Sequence, residues 1–227
     1  MQTLRTEPRW GVPDAVISLV LYVAIAAATG IGLPLLLGGQ PSSASIVGGL
    51  LASWLGLAGW PLLVAWRKGN GPRLDYRIGL SWVDVGAGVL GALVVVAVGF
   101  VYIVALVAFT GSPPTSAAGQ VADEVDGIWL YVLLLLIAVG APLVEEVHFR
   151  GLWFAALRKR GVGPWPTVLL TAVLFAVLHL EPLRTPLLLA SGVVLGYLRM
   201  STGRLGACIV GHALVNSLGA LALLLAA

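Results

Sequence analysis

Seven apolar runs dominate this sequence, and their length constrains the fold more than any other feature. A helix rises about 1.5 Å per residue, and about 20 apolar residues are needed to cross a hydrocarbon layer roughly 30 Å thick. The runs are Ala15–Gly38, Ile46–Trp66, Val85–Thr110, Ile128–Leu157, Thr167–Leu180, Leu183–Leu198 and Leu205–Ala226, of which the fifth and sixth are short. Charged residues make up only 10% of the chain, against about a quarter in soluble domains, and the mean hydropathy is +1.00. The expectation is an all-α, multi-pass transmembrane bundle of about seven spans, with residues 1–227 forming a single membrane domain. The first run is longer than the 7–15 apolar residues of a signal peptide, so it reads as a retained anchor. Pro34 and Pro61 are expected to kink the first two helices, which membrane bundles tolerate.

Charge in the short loops gives an orientation. With a cytoplasmic N-terminus, the inner side receives Arg5, Arg9, Arg67, Lys68, Arg73, Arg77, Arg158, Lys159, Arg160, Arg199 and Arg204. The outer side receives Arg184 with Asp123, Glu124, Asp126 and Glu181. The positive-inside rule therefore predicts N-terminus in and C-terminus out. The net charge of +3 is scattered around apolar segments and forms no continuous basic stripe, which argues against a nucleic-acid partner. The expected partners are the lipid bilayer and a membrane-anchored peptide or protein. Trp66, Trp82 and Trp165 near run ends read as interface anchors. Cys208, the single cysteine, excludes an intramolecular disulfide and reads as a small buried thiol. No internal repeat is evident, which weighs against an inverted-repeat transporter.

Into this apolar background the run APLVEEVHFRG introduces Glu145, Glu146, His148 and Arg150. A charge at the centre of a membrane helix costs about 2.5–3.5 kcal/mol on insertion scales, so function is the default explanation. Glu146 and Arg150 are four apart, share a face and are expected to pair as a supporting ion pair. Glu145 is turned about 100° away and lacks that partner, which suits a general base. His179 lies thirteen residues beyond Pro166 and Glu145 thirteen before Arg158, so both reach roughly 20 Å from the same membrane face. His212 and Asn216, four apart on the last run, reach about 12 and 18 Å. Three helices thus bring polar groups to one layer. His212 and Asn216 suit either interhelical hydrogen bonds or oxyanion donors. For His148, three readings remain open: a cavity-lining group, a metal ligand, or a solvated imidazole.

The ordered set Glu145-Glu146-Val147-His148-Phe149-Arg150, then Phe175 to His179, then His212 to Asn216, resembles the EExxxR, FxxxH and HxxxN/D motifs of the CPBP family. That family comprises CAAX prenyl proteases and bacteriocin-processing or self-immunity membrane proteins. The resemblance covers a core at residues 128–222, with residues 1–127 as an N-terminal three-helix portion. It implies an intramembrane endopeptidase in which Glu145 and His179 activate water while His212 and Asn216 stabilise the oxyanion. Arginines far outnumber the two lysines and the chain is small and Ala/Gly-rich, traits that by association suggest a bacterial cell membrane. Water activation by Glu and His needs no metal, and none is favoured; Glu145, His179 and His212 form the alternative zinc set. A non-catalytic immunity or scaffold protein and a proton-coupled transporter are the rival readings.

Overall fold

The inside of this protein is charged and its outside is greasy. Glu146, His148 and Arg150 are fully buried, whereas Phe109 is 90% and Trp82 89% exposed. Water would penalise such an arrangement, and lipid favours it, because hydrocarbon solvates the outward-facing Leu, Val and Phe side chains. The computed structural model describes residues 7–38 and 41–226, so Arg5 lies outside the described residues.

Among these residues the fold is entirely helical. Five helices are long and apolar enough to cross a membrane: α1 (Val12–Leu36), α2 (Ser43–Lys68), α4 (Trp82–Thr110), α6 (Gly127–Lys159) and α9 (Gly206–Ala226). Two expected spans take a different form. α7 (Pro164–Leu178) and α8 (Thr185–Thr202) are shorter and pack against one another as a hairpin. At 15 residues α7 extends about 22 Å, less than the hydrocarbon thickness. Hydropathy did not anticipate two short helices, α3 (Pro72–Asp75) and α5 (Ala117–Asp123), which are too polar and brief to register as apolar runs.

α6 packs against α9, α7, α1 and α2. Small residues allow the closest approaches. A Cβ added to Gly192 of α8 would lie 2.8 Å from the Cα of Ala172 on α7. The cationic loops gather at one end of the bundle. There Arg9 N–H donates to the Lys68 carbonyl, Lys159 Nζ reaches the carbonyls of Pro8 and Trp10, and Arg204 pairs with Asp84. At the opposite end Ser43 bonds Asp126, and Tyr102 Oη donates to the Leu183 carbonyl. The loop partition drawn from the charges is thus reproduced by geometry.

The expected proline kinks appear as widened π turns. Proline clashes with the carbonyl four residues earlier and offers no N–H. Pro34, Pro61 and Pro142 each follow a π segment that contains that carbonyl: Ala28–Gly32, Leu55–Gly59 and Leu136–Gly140. The wider turn redirects Trp60 N–H to the Leu55 carbonyl and Ala141 N–H to the Leu136 carbonyl. Gly56 and Ile137 then lose both potential backbone donors, since the donor five residues on is a proline. An orphaned carbonyl in a dry interior costs free energy, and side chains from other helices fill the gap. Ser18 Oγ donates to Gly56 O at 2.7 Å, and Asn216 Nδ2 donates to Ile137 O at 3.0 Å.

Gly192→Val is expected to drive α7 and α8 apart, because the obstructing atoms are backbone. Overpacking of this kind typically costs about 1–3 kcal/mol. Thermal unfolding in detergent should show a lowered Tm, and an unchanged Tm would mean that the hairpin contact is not tight.

Candidate active site

Site formation starts at the second turn of α6 after Pro142. Glu146 is fully buried, and its Oε1 accepts two hydrogen bonds. Arg150 Nη1 donates at 2.9 Å from the next turn of the same helix, as the four-residue spacing requires. His212 Nδ1 lies 2.9 Å away on α9 and donates to the carboxylate. Arg150 also sends Nη2 to the Gly192 carbonyl on α8, 3.0 Å away. Its guanidinium carbon lies 4.8 Å from the centre of the Phe175 ring on α7. The ion pair expected from sequence is therefore a junction joining four helices. Glu146 also orients His212, a link that linear spacing gave no way to foresee.

With its Nδ1–H committed to Glu146, His212 turns Nε2 toward Glu145, 3.8 Å from that carboxylate's Oε2. Nε2 supplies a second N–H only in the doubly protonated ring. Glu145 Oε2 is enclosed and makes no hydrogen bond within the protein. Glu145 lines a cavity of about 190 Å³ together with Phe175, His179, His212 and Asn216. The four side chains assigned to water activation and oxyanion binding therefore surround one space, contributed by α6, α7 and α9.

His179 sits at the C-terminal cap of α7, where its Nδ1–H donates to the Phe175 carbonyl at 2.7 Å. That bond fixes the tautomer and leaves Nε2 as an acceptor. The next residue, Leu180, has φ of +55°, a left-handed conformation costly for a branched side chain. The chain turns sharply there, so His179 is the last side chain α7 delivers. Phe175 packs between the two imidazoles, 4.6 Å from His179 and 5.7 Å from His212 by ring centres.

His148 goes elsewhere. At 100° per residue His148 would lie about 60° from Glu145, but Val147–Trp153 is a π segment, whose wider turn rotates each residue by less. His148 is completely buried and does not line the cavity. Its Nε2 accepts from Trp153 Nε1 at 3.1 Å. Its Nδ1–H donates to Ser18 Oγ at 2.9 Å, whose own hydroxyl is used on Gly56 O. Both nitrogens are satisfied, which corrects the cavity-lining and solvated readings alike: His148 fastens α1 and α2 to α6.

No three His, Cys, Asp or Glu side chains among the described residues are grouped closely enough to hold a metal ion. Cys208 is fully buried, with its thiol directed at the Leu195 carbonyl, 3.2 Å away. The residue that sequence reasoning missed is Arg184, which enters the cavity lining from the start of α8. Its lone positive charge among outer-side acids was the available signal.

The chain is thus an all-helical membrane protein that buries acids and imidazoles around a cavity. Residues 127–218 match the family described as type II CAAX prenyl endopeptidase Rce1-like. The match contains every site residue named above from Glu145 to Asn216. It points to intramembrane protease activity on a membrane-associated peptide or protein. No curated protein and no solved structure matches the chain.

Two outcomes follow from the junction and the orphaned carbonyl. Glu146→Gln or Arg150→Met alone should cost about 3–5 kcal/mol, as expected when one charge of a buried pair is left behind. The double variant should cost less than the sum in denaturation experiments, and strict additivity would contradict the pairing. Asn216→Ala should cost about 1 kcal/mol by unbonding Ile137 O. In a Pro142→Ala background, where position 142 regains an N–H, that cost should shrink; equal costs in both backgrounds would show that the proline does not create the need.

Proposed function

We propose that the protein is an intramembrane endopeptidase that hydrolyses a peptide bond of a membrane-associated substrate with water activated by Glu145 and His179. One observation carries the reading: Glu145, whose Oε2 has no hydrogen-bond partner in the protein, lines a cavity shared with His179, His212 and Asn216. A carboxylate held this way is available to accept a proton from water. His179 Nε2, left as an acceptor, takes the second water hydrogen as a hydrogen bond and aims the oxygen. As the water oxygen adds to the carbonyl carbon, its proton passes to Glu145. The resulting oxyanion accepts from Nε2–H of the doubly protonated His212 ring and from the second N–H of Asn216. Collapse of the tetrahedral intermediate breaks the C–N bond, and Glu145 returns the proton to the leaving amine.

The rest of the site acts on these groups. Glu146 fixes the ring of His212, Arg150 balances the charge of Glu146, and Ile137 O holds the Asn216 amide in place. Pre-set donors of this kind need no rearrangement when charge develops, which is where most rate gain arises. The substrate reading follows from the family and from the lipid-facing shell: a peptide or protein held at the bilayer, entering laterally between helices. The cationic end of the bundle is assigned to the cytoplasm by the positive-inside rule. The hairpin adds two crossings or none, so five long spans leave the N-terminus inside and the C-terminus outside in either case.

Glu145→Gln should abolish release of product from a membrane-peptide library while the Tm in detergent stays close to that of the parent. Turnover near the parent rate would overturn the general-base role. His212→Ala should lower kcat about 10²–10³-fold with a smaller change in KM, the signature of a transition-state donor. An effect confined to KM would assign His212 to substrate positioning instead.

A further inference from the structure

The cavity beside Glu145 contains one side chain that is always cationic, Arg184, and the hydrolysis described above leaves it without a task. Its neighbours in the lining are the two imidazoles, the Asn216 amide, Ser191 and apolar side chains. We propose that Arg184 is a specificity residue that binds a carboxylate of the substrate peptide and so sets which peptide bond lies against Glu145. The inference rests on the endopeptidase reading and extends it to what the peptide must carry.

Three features support it. First, the guanidinium is held ready: Nη1 donates to Glu181 Oε2 at 2.8 Å, and Glu181 Oε1 accepts the Ala117 N–H at 2.7 Å. The carboxylate that orients Arg184 is thereby fixed to the first residue of α5. Second, Nε and Nη2 have no hydrogen-bond partner among the described residues, leaving the two-donor edge that matches a carboxylate. The Arg184 side chain is 26% exposed against 10% for Glu181, so the arginine reaches further into open space than its partner. Third, Glu145 repels any anion entering the cavity. A peptide bearing a carboxylate gains there only if a cation answers it, and Arg184 is the permanent cation in the lining. The carboxylate has two sources, the free C-terminus of the peptide or an acidic side chain, and both present the same chemistry to the guanidinium.

A simple tie across the hairpin tip would make the same Glu181 contact, so the test must separate recognition from scaffolding. Peptides of one sequence would be made with a free C-terminal carboxylate, with a C-terminal amide, and as the amide with an added acidic side chain. Cleavage in vesicles by the parent, Arg184→Gln and Arg184→Lys would be compared. Binding of the same peptides to Glu145→Gln protein, with and without Arg184→Gln, would be measured alongside. A charge-assisted bond is expected to favour a carboxylate-bearing peptide about 10–100-fold in the parent. The ratio should fall to about one in Arg184→Gln and recover in part in Arg184→Lys. Preference for the free terminus assigns the C-terminal carboxylate, and preference for the acidic side chain assigns that group. Equal affinity for all three peptides, or a parallel loss for all of them in Arg184→Gln, overturns the proposal. A carboxylate preference in binding that disappears in Arg184→Gln, in a protein that cleaves none of the peptides, upholds Arg184 and instead overturns the endopeptidase reading.

Discussion

The structure depends on one oxygen atom, Oε1 of Glu146. It accepts hydrogen bonds from Arg150 on its own helix and from His212 on α9. A charge without a partner at this depth would be too costly to keep, and its pairing with Arg150 is what admits a carboxylate to the bundle centre. Once there, it aims an imidazole. The stabilising contact and the site-forming contact are the same group of atoms, so a change at Glu146 acts on fold and site together. Arg150 then spreads the dependence outward, through the Gly192 carbonyl and the Phe175 ring, to the α7–α8 hairpin.

A second constraint is the accounting of backbone carbonyls in a dry interior. Three prolines force π turns in α1, α2 and α6, and each turn leaves a carbonyl with no backbone donor, at Thr29, Gly56 and Ile137. Gly56 O is answered by Ser18, and Ile137 O by Asn216. The π segment after Glu146 behaves similarly: Arg199 Nε donates to the Arg150 carbonyl at 2.9 Å. Defects in one helix thus become docking points for side chains of another. Asn216 reaches the cavity in a fixed pose because Pro142 created an acceptor for it. π turns recur at functional sites in many proteins, and here the reason is concrete.

The hairpin supplies what long spanning helices do not. α7 ends at His179, α8 begins after Arg184, and the sharp turn at Leu180 brings a base and a cation to the rim of one cavity. A continuous span would carry such groups past the site on a single face. The turn that ends α7 is tied by neighbouring segments: Tyr102 Oη donates to the Leu183 carbonyl and the Ala117 N–H to Glu181. The short length of α7 is therefore part of how the site is built.

Much of this was legible in the linear chain. Hydropathy revealed an all-helical membrane protein, because twenty-residue apolar runs have few other stable forms. Counting residues from the run ends put Glu145, His179, His212 and Asn216 in one layer, because helical rise is nearly constant. The four-residue spacing of Glu146 and Arg150 gave their ion pair for the same reason. What failed was angular and long-range. The position of His148 could not be read, since a π turn resets the helical wheel and the trigger lies in backbone bonding. The link from Glu146 to His212, the bond from Asn216 to Ile137 and the entry of Arg184 into the cavity depend on how separate helices lean together. Local pattern determined which residues are helical and how deep they lie; only tertiary packing decided which of them touch, because interhelical contacts join residues far apart in the chain.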